Sequence, residues 1–235
     1  HVPFRELQGI VGNAPRHAGQ AEEKLRQSEA HFRALFEAGA VGSVECDAQT
    51  GQFLRVNRKM CEIVGYSAEE LLTRNFAEIT YPADRDYTLG QYQDFIAGKI
   101  PTYEVEKRYL RKDGAIVWVS VTSTVLYDQE GRPWHTVAVI QDITDRKHAE
   151  ERLRESEVQF RTLFEQSPVG KMIVDYDGFK VMDCNRAAAK MLGYSEQEMT
   201  TLTIPDLEAS HSLAEIKHNG ELLKSGHHRQ FQTLY

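Results

Sequence analysis

Cysteine is scarce in this chain: Cys46, Cys61 and Cys184 are the only three in 235 residues. An odd number with no Cys-x-x-Cys spacing excludes a disulfide framework and fits free thiols in a reducing compartment. Long apolar runs are also missing. No stretch approaches the ~18 apolar residues that span a bilayer, and the start lacks the charged, apolar and small-residue order of a signal peptide. A cytoplasmic fragment without membrane contact is expected, with any membrane anchor of its parent lying elsewhere. Positive charge is in deficit: the net charge is −7 and the pI about 5.7. No Lys/Arg cluster offers the counter-charge that nucleic acid or an anionic membrane surface requires. A Gly-rich phosphate loop, a nucleophile elbow and a recognisable acid/base carboxylate pair are absent too, so the fragment itself is not expected to be an enzyme.

What is present is a duplication. Ala21-Glu22-Glu23-Lys24-Leu25-Arg26 and Phe32-Arg33-Ala34-Leu35-Phe36-Glu37 return as Ala149-Glu150-Glu151-Arg152-Leu153-Arg154 and Phe160-Arg161-Thr162-Leu163-Phe164-Glu165, an offset of 128. The same offset maps Asp47 to Asp175, Asn57-Arg58 to Asn185-Arg186, Gly65-Tyr66-Ser67 to Gly193-Tyr194-Ser195 and Gly98 to Gly226. A period this long indicates domains with separate cores rather than stacked solenoid units. By the offset, Tyr235 corresponds to Lys107, so the second copy is expected to be truncated and to lack the last strands of the first. The expected layout is a leader over 1–20, a helix over 21–40, a complete domain over 41–144, a linker helix over 145–165 and a truncated domain over 166–235.

Ala21, Leu25, Ser28, Phe32 and Leu35 fall at alternating steps of four and three, as do Ala149, Leu153, Ser156, Phe160 and Leu163. Such a narrow a/d seam among Glu, Lys, Arg and Gln fits pairing with a second copy, a homodimer through helices 21–35 and 149–163. A helix lying on its own domain would use the same pattern. Beyond it, Val41–Asp47 and Phe53–Asn57 read as strands around a Thr50-Gly51 turn. Arg58–Val64 reads as a helix stopped by Gly65, and Ser67-Ala68-Glu69-Glu70 as a capping box opening another. Leu89, Tyr92, Phe95 and Ile96 have helical spacing up to Gly98. Three strands follow, Thr102–Arg111, Ile116–Tyr127 and Trp134–Thr144, with hairpin turns at Lys112-Asp113-Gly114 and Asp128–Gly131. The fold class is α+β: a five-stranded antiparallel sheet with flanking helices, in tandem.

Ile116–Tyr127 carries no charge on either face, so both faces are expected to be covered. The Val-rich face, Val117, Val119, Val121, Ser123 and Val125, would need a flanking helix or a second subunit. The mixed face, with Trp118, Ser120 and Thr122, is the better expected wall of a ligand cavity, since pockets combine apolar walls with a few polar groups. Satisfaction of those hydroxyls within the sheet is the other reading.

This order of elements, with Phe32-Arg33-Ala34-Leu35-Phe36, Val56-Asn57-Arg58, Gly65-Tyr66-Ser67-Ala68-Glu69-Glu70-Leu71, Arg111-Lys112-Asp113-Gly114, Trp118 and Asp142-Ile143-Thr144-Asp145-Arg146, resembles a tandem of PAS sensory domains. The resemblance covers residues 21–160 and 149–235. It implies a small molecule or cofactor held between helices and sheet, with the change relayed along a helix leaving the last strand. The implied cleft candidates are Phe36, Met60, Phe76, Trp118, Ser120 and Thr122. The implied relay is Asp142, Ile143, Thr144 and Arg146, with Thr144 or Asp145 capping the exit helix and Asp142 pairing with Arg146. It further implies a bacterial-type sensor histidine kinase or cyclic-dinucleotide enzyme as parent, with catalysis outside this fragment. The photosensory Asn-Cys-Arg-Phe-Leu-Gln motif is replaced by Asn57-Arg58-Lys59-Met60-Cys61, which argues against a flavin adduct and leaves non-covalent flavin or a small organic ligand open. Haem is not expected in the first copy, which has no His between Phe76 and Lys107. In the second, His211 and His218 share a helical face but read as solvated residues, and the neighbours His227 and His228 point to opposite faces of a strand, so no metal site is expected. A ligand-free spacer, its cleft filled by Phe36, Phe76 and Trp118, is the alternative function.

Overall fold

A computed structural model describes residues 14–175, 177–208 and 212–224. The chain divides between Ala149 and Glu150 into two compact units. The first opens with helix α1, Ala14–Glu37, which begins seven residues before the repeated segment. A five-stranded antiparallel sheet follows, built from β1 (Gly42–Asp47), β2 (Phe53–Val56), β3 (Tyr103–Leu110), β4 (Ile116–Tyr127) and β5 (Pro133–Asp142) in the order β2-β1-β5-β4-β3. Between β2 and β3 lie α2 (Arg58–Val64), α3 (Ala68–Leu72), α4 (Phe76–Ile79) and α5 (Arg85–Ile96). The four-residue α4 has no periodic signature in the sequence and was not expected.

Local chemistry sets these boundaries. Gly65 takes the left-handed conformation at φ 75° and returns its amide to the Cys61 carbonyl, a geometry that costs a residue with a Cβ about 1 kcal/mol or more. Ser67 and Glu70 form the reciprocal capping box that opens α3. Asn75 and Glu78 form a second one for α4.

Asn57 is the main polar knot. Fully buried, it donates from Nδ2 to the carbonyls of Phe36 and Val41, both at 3.0 Å. Its Oδ1 accepts from the amides of Ser43 and Met60, both at 2.9 Å. One side chain thereby joins the end of α1, β1 and the first turn of α2, and every polar atom of the amide is satisfied. The Arg58 amide adds a bond to Glu37 at 3.1 Å.

All four helices between β2 and β3 lie against one face of the sheet. That face presents Val44 and Cys46 from β1, Val105 and Tyr109 from β3, Val117, Val119 and Val121 from β4, and Ala138 and Ile140 from β5, all buried against Met60, Leu71, Phe76, Ile79, Tyr92 and Phe95. Each large apolar side chain so buried contributes on the order of 1.5–3 kcal/mol. The Val-rich face of β4 is therefore the inner face and packs on the domain's own helices. The opposite face, with Ile116, Thr122, Thr124 and Leu126, is exposed in the single chain, so the domain's own helices cover one face of β4.

The second unit repeats the opening of the first. Helix α6, Thr144–Glu165, leads to a two-stranded sheet of β6 (Met172–Val174) and β7 (Val181–Cys184), then α7 (Arg186–Leu192), α8 (Glu196–Met199), α9 (Ile204–Leu207) and α10 (Leu213–Lys224). Asn185 reproduces the knot residue for residue. It donates to Phe164 and Val169 carbonyls at 2.8 and 2.9 Å and accepts from Lys171 and Ala188 amides at 2.8 and 3.0 Å. Ser195 and Glu198 repeat the capping box. A smaller core gathers Val181, Cys184, Ala188, Ala189, Met199 and Leu207. The two strands are all that this unit shows among the described residues. His218 is exposed on α10, while His211, His227 and His228 lie outside the described residues.

Candidate functional site

The helix-covered face of the first unit encloses a cavity of about 30 Å³, room for about two waters. Its walls come from Val44 and Cys46 of β1, Phe53 of β2, Phe76 of α4, Tyr92 of α5, and the inward faces of β3, β4 and β5. Strand alternation explains the β3 contribution. Tyr103, Lys107 and Tyr109 are two or four residues apart and share a face, so a lysine enters a wall that is otherwise aromatic and aliphatic.

Lys107 is 3% exposed. Its Nζ lies 4.9 Å from the ring centre of Phe76, 5.1 Å from Tyr109 and 6.0 Å from Tyr103. Ring faces give a cation partial compensation. Burial nonetheless wins and pushes the ammonium down to about 7. Asp84, just before α5, favours the charged form from a distance. That carboxylate is already committed: it takes the Arg108 amide and Nε, both at 3.0 Å, and Arg108 Nη2 at 2.5 Å, and these bonds hold it below the usual carboxylate range.

The remaining polar groups around the cavity are neutral. Burial pushes the Cys46 thiol up to about 12 and Tyr92 up to about 12. Tyr103 and Tyr109 are raised by the same cause. The Tyr92 hydroxyl lies 3.3 Å from both the Ala48 carbonyl and Thr136 Oγ1. Ser123 Oγ donates to the Val137 carbonyl at 3.2 Å. The Tyr103 hydroxyl is buried and has no partner among the described residues.

Of the residues expected to line the cleft, Phe76 does. Met60 is fully buried in the core beside it but is not part of the cavity wall. Phe36 ends α1, where it stacks on Phe32 at 6.0 Å. Trp118, Ser120 and Thr122 sit on the other face of β4, because the helices cover the Val-rich side. That is a correction to the expected wall, and the polar groups of the cavity are instead Lys107, Tyr103, Tyr92, Ser123 and Thr136. Trp118 does take part in the exit. Its amide donates to Thr144 Oγ1 at 3.0 Å, and its carbonyl accepts from the Ile143 amide at 2.9 Å.

The exit motif is therefore sewn to the sheet at the first turn of α6. Asp142 Oδ1 accepts from the Thr144 amide at 2.9 Å, which leaves the Thr144 hydroxyl oxygen for β4 instead of for capping the helix. Arg146 Nη2 reaches Glu106 Oε1 at 2.5 Å, and Lys147 Nζ reaches Glu106 Oε2 at 2.6 Å. These bonds hold the Glu106 carboxyl below its ordinary range, Lys147 contributing most. The expected Asp142–Arg146 arrangement thus gives way to an Asp142 turn and an Arg146–Glu106 clasp. Glu106 and Lys107 are consecutive on β3, one holding the exit helix and the other facing the cavity.

Two family matches bear on this arrangement. The PAS fold family matches residues 53–140 and the PAS domain family residues 158–224. The chain carries two PAS domains. Among curated relatives, a probable diguanylate cyclase, DgcE of Escherichia coli, is 36% identical over 136 residues, covering 57% of this chain and 12% of the relative. Sporulation kinase E of Bacillus subtilis is 25% identical over 194 residues, covering 82% of this chain and 25% of the kinase. The chain thus spans a quarter or less of these two relatives. A solved sensory box histidine kinase/response regulator structure from Burkholderia thailandensis is 28% identical, with a TM-score of 0.46, covering 56% of this chain and 98% of that one. The PAS pair is a sensory signalling region of the kind carried by sensor kinases and cyclases. Among the described residues no helix is long and apolar enough to cross a membrane, and no group of His, Cys, Asp and Glu is arranged to hold a metal.

Proposed function

We propose that the first PAS domain senses occupancy of the Lys107 cavity and relays it along α6 to the second domain and to an output domain of kinase or cyclase type. The observation that carries this reading is the adjacency of Lys107 and Glu106. A strand is stiff over two residues, so a displacement of the cavity side of β3 moves the carboxylate that holds Arg146 and Lys147. At 30 Å³ the cavity is far below the several hundred Å³ that enclose a drug-sized ligand, which favours a small ligand over flavin.

The seams support a homodimer. Leu35, Phe160 and Leu163 are 63%, 51% and 71% exposed among the described residues, and Phe160 stacks on the buried Phe164 at 5.5 Å. A second copy presenting the same apolar row between charged flanks is the complementary partner. The ligand-free spacer differs in one testable respect. Ala138→Val adds two carbons to the cavity wall; hydrogen exchange at residues 143–150 should change in this variant if the cavity is coupled to α6, and should match wild type if the domain only transmits rotation.

A further inference from the structure

Lys107 is a cation for which the described residues of the first unit supply no paired counter-charge. Among the described residues it makes no hydrogen bond or ion pair, it lies among the rings of Phe76, Tyr103 and Tyr109, and the Asp84 carboxylate that acts on it is held by Arg108. Tyr103, which lines the same cavity from the same strand, has a buried hydroxyl with no partner among the described residues. Buried polar groups are normally paired, and each exception calls for an explanation. Lysine is also a poor choice for a wall that only has to be filled, since methionine of similar volume would avoid the desolvation cost. A cation and a hydroxyl donor, both unpartnered and both facing one small cavity with apolar walls, are the complement of an anion with a short apolar tail.

We propose that this cavity binds a small monocarboxylate, its charge paired with Lys107 Nζ and one oxygen accepting from the Tyr103 hydroxyl. The inference deepens the sensory reading above and rests on it. Volume sets the size of the ligand: with room for about two waters, the cavity admits a carboxylate of formate to acetate size and nothing larger. A second charge or a bulky tail has no place in 30 Å³. The site belongs to the first repeat, since the offset places Tyr235, not lysine, at the corresponding position of the second.

Binding should be linked to pH. The groups facing Lys107 are Cys46 on β1, Tyr92 on α5, Tyr103 and Tyr109 on β3, all kept protonated by burial, and Asp84, kept ionised by Arg108. Lys107 is thus the group that changes charge near neutrality. Affinity for the anion should be full below pH 7 and fall about tenfold per pH unit above it, until the pKa of the bound state is reached.

Thermal unfolding of the whole chain, followed by tryptophan fluorescence, tests this, because Trp118 and Trp134 both belong to the first unit. Sodium acetate, acetamide and sodium chloride at matched ionic strength are titrated at pH 6 and pH 8 into wild type, Lys107→Met and Tyr103→Phe. The expected result is a saturable acetate-dependent rise in Tm for wild type, weaker at pH 8, lost in Lys107→Met and about tenfold weaker in Tyr103→Phe. An acetate effect that survives in Lys107→Met overturns the proposal. Equal effects of acetamide and acetate would show a neutral ligand, and equal effects of chloride a halide site; either overturns the carboxylate assignment and leaves the sensory reading standing. No effect from any of the three also overturns it, while the sensory reading is then decided by the exchange behaviour of Ala138→Val.

Discussion

Replacing Lys107 with methionine should stabilise the empty first domain, and by an amount that depends on pH in a calculable way. In the unfolded chain the ammonium titrates at its ordinary value near 10.4; in the fold burial lowers it to about 7. Between those values the unfolded state holds the proton more often than the folded state, so wild-type stability rises with pH across that window. Below pH 7 both states carry the charge and the full desolvation cost is present. Each pH unit between the two values is worth about 1.4 kcal/mol. From pH 6 to pH 8.5 the wild type should therefore gain about 2 kcal/mol relative to Lys107→Met. The variant should be the more stable protein at pH 6, by roughly 1–4 kcal/mol, as when a buried charge gives way to an apolar side chain of like size. Subtracting the two proteins at each pH cancels the titration of groups they share. Urea denaturation followed by tryptophan fluorescence at pH 6, 7, 7.8 and 8.5, in buffers free of carboxylates, gives the difference directly. A constant difference across this range would show that Lys107 keeps its ordinary ionisation in the fold, and would refute the account of an unpaired buried cation.

Asn57→Ala removes four hydrogen bonds and strands buried backbone groups from α1, β1 and α2; a loss of about 3 kcal/mol or more is expected in the same denaturation experiment. Gly51→Ala and Gly65→Ala should separate strain from clash. Both glycines have positive φ, but a Cβ at Gly51 would sit 2.5 Å from the Phe76 ring while Gly65 meets nothing closer than 3.6 Å, so Gly65→Ala should cost about 1 kcal/mol and Gly51→Ala at least twice that. Glu106 should hold the start of α6 throughout the pH range in which it is ionised. Its carboxyl is lowered in the fold, so the clasp is fully present above the ordinary value near 4.3 and lost as pH falls through the lower folded value; NMR of Arg146 and Lys147 should be flat from pH 7 to about 5 and change below. Leu35→Glu with Leu163→Glu should shift sedimentation toward monomer; unchanged sedimentation of a dimer would place its interface elsewhere.

Much of this architecture was legible because local chemistry and pattern agree. Ser67 with Glu70, Gly65, and the Asp113-Gly114 and Asp128–Gly131 turns mark boundaries that the structure keeps within two residues. The repeat itself pointed to Asn57 and Asn185, although only the fold shows why a buried amide is needed twice at the same place. The cavity wall was less legible. Alternation along β4 separates two faces but does not say which one the helices cover, and an all-apolar Val face is an equally good core; reasoning from pocket polarity put Trp118, Ser120 and Thr122 inside when they lie outside. Lys107 was hidden by its neighbours: Glu104, Glu106 and Arg108 make β3 read as a charged edge. The alternation Tyr103, Val105, Lys107, Tyr109 was the available signal, a lysine in phase with three inward-facing residues. The exit clasp to Glu106 could not be read at all, since it joins residues 40 apart.

The central claim is that the cavity and the exit helix are coupled through β3. It is tested most directly by exchange of the Lys147 amide, which donates to Ile143 at 3.0 Å in the first turn of α6, in wild type, Ala138→Val, Glu106→Gln and the double variant. The account predicts that filling the cavity changes protection of this amide in wild type and that the change is reduced or abolished when Glu106 is replaced. Equal effects of Ala138→Val in both backgrounds would contradict coupling through the Glu106 clasp, and no effect in either would contradict coupling altogether.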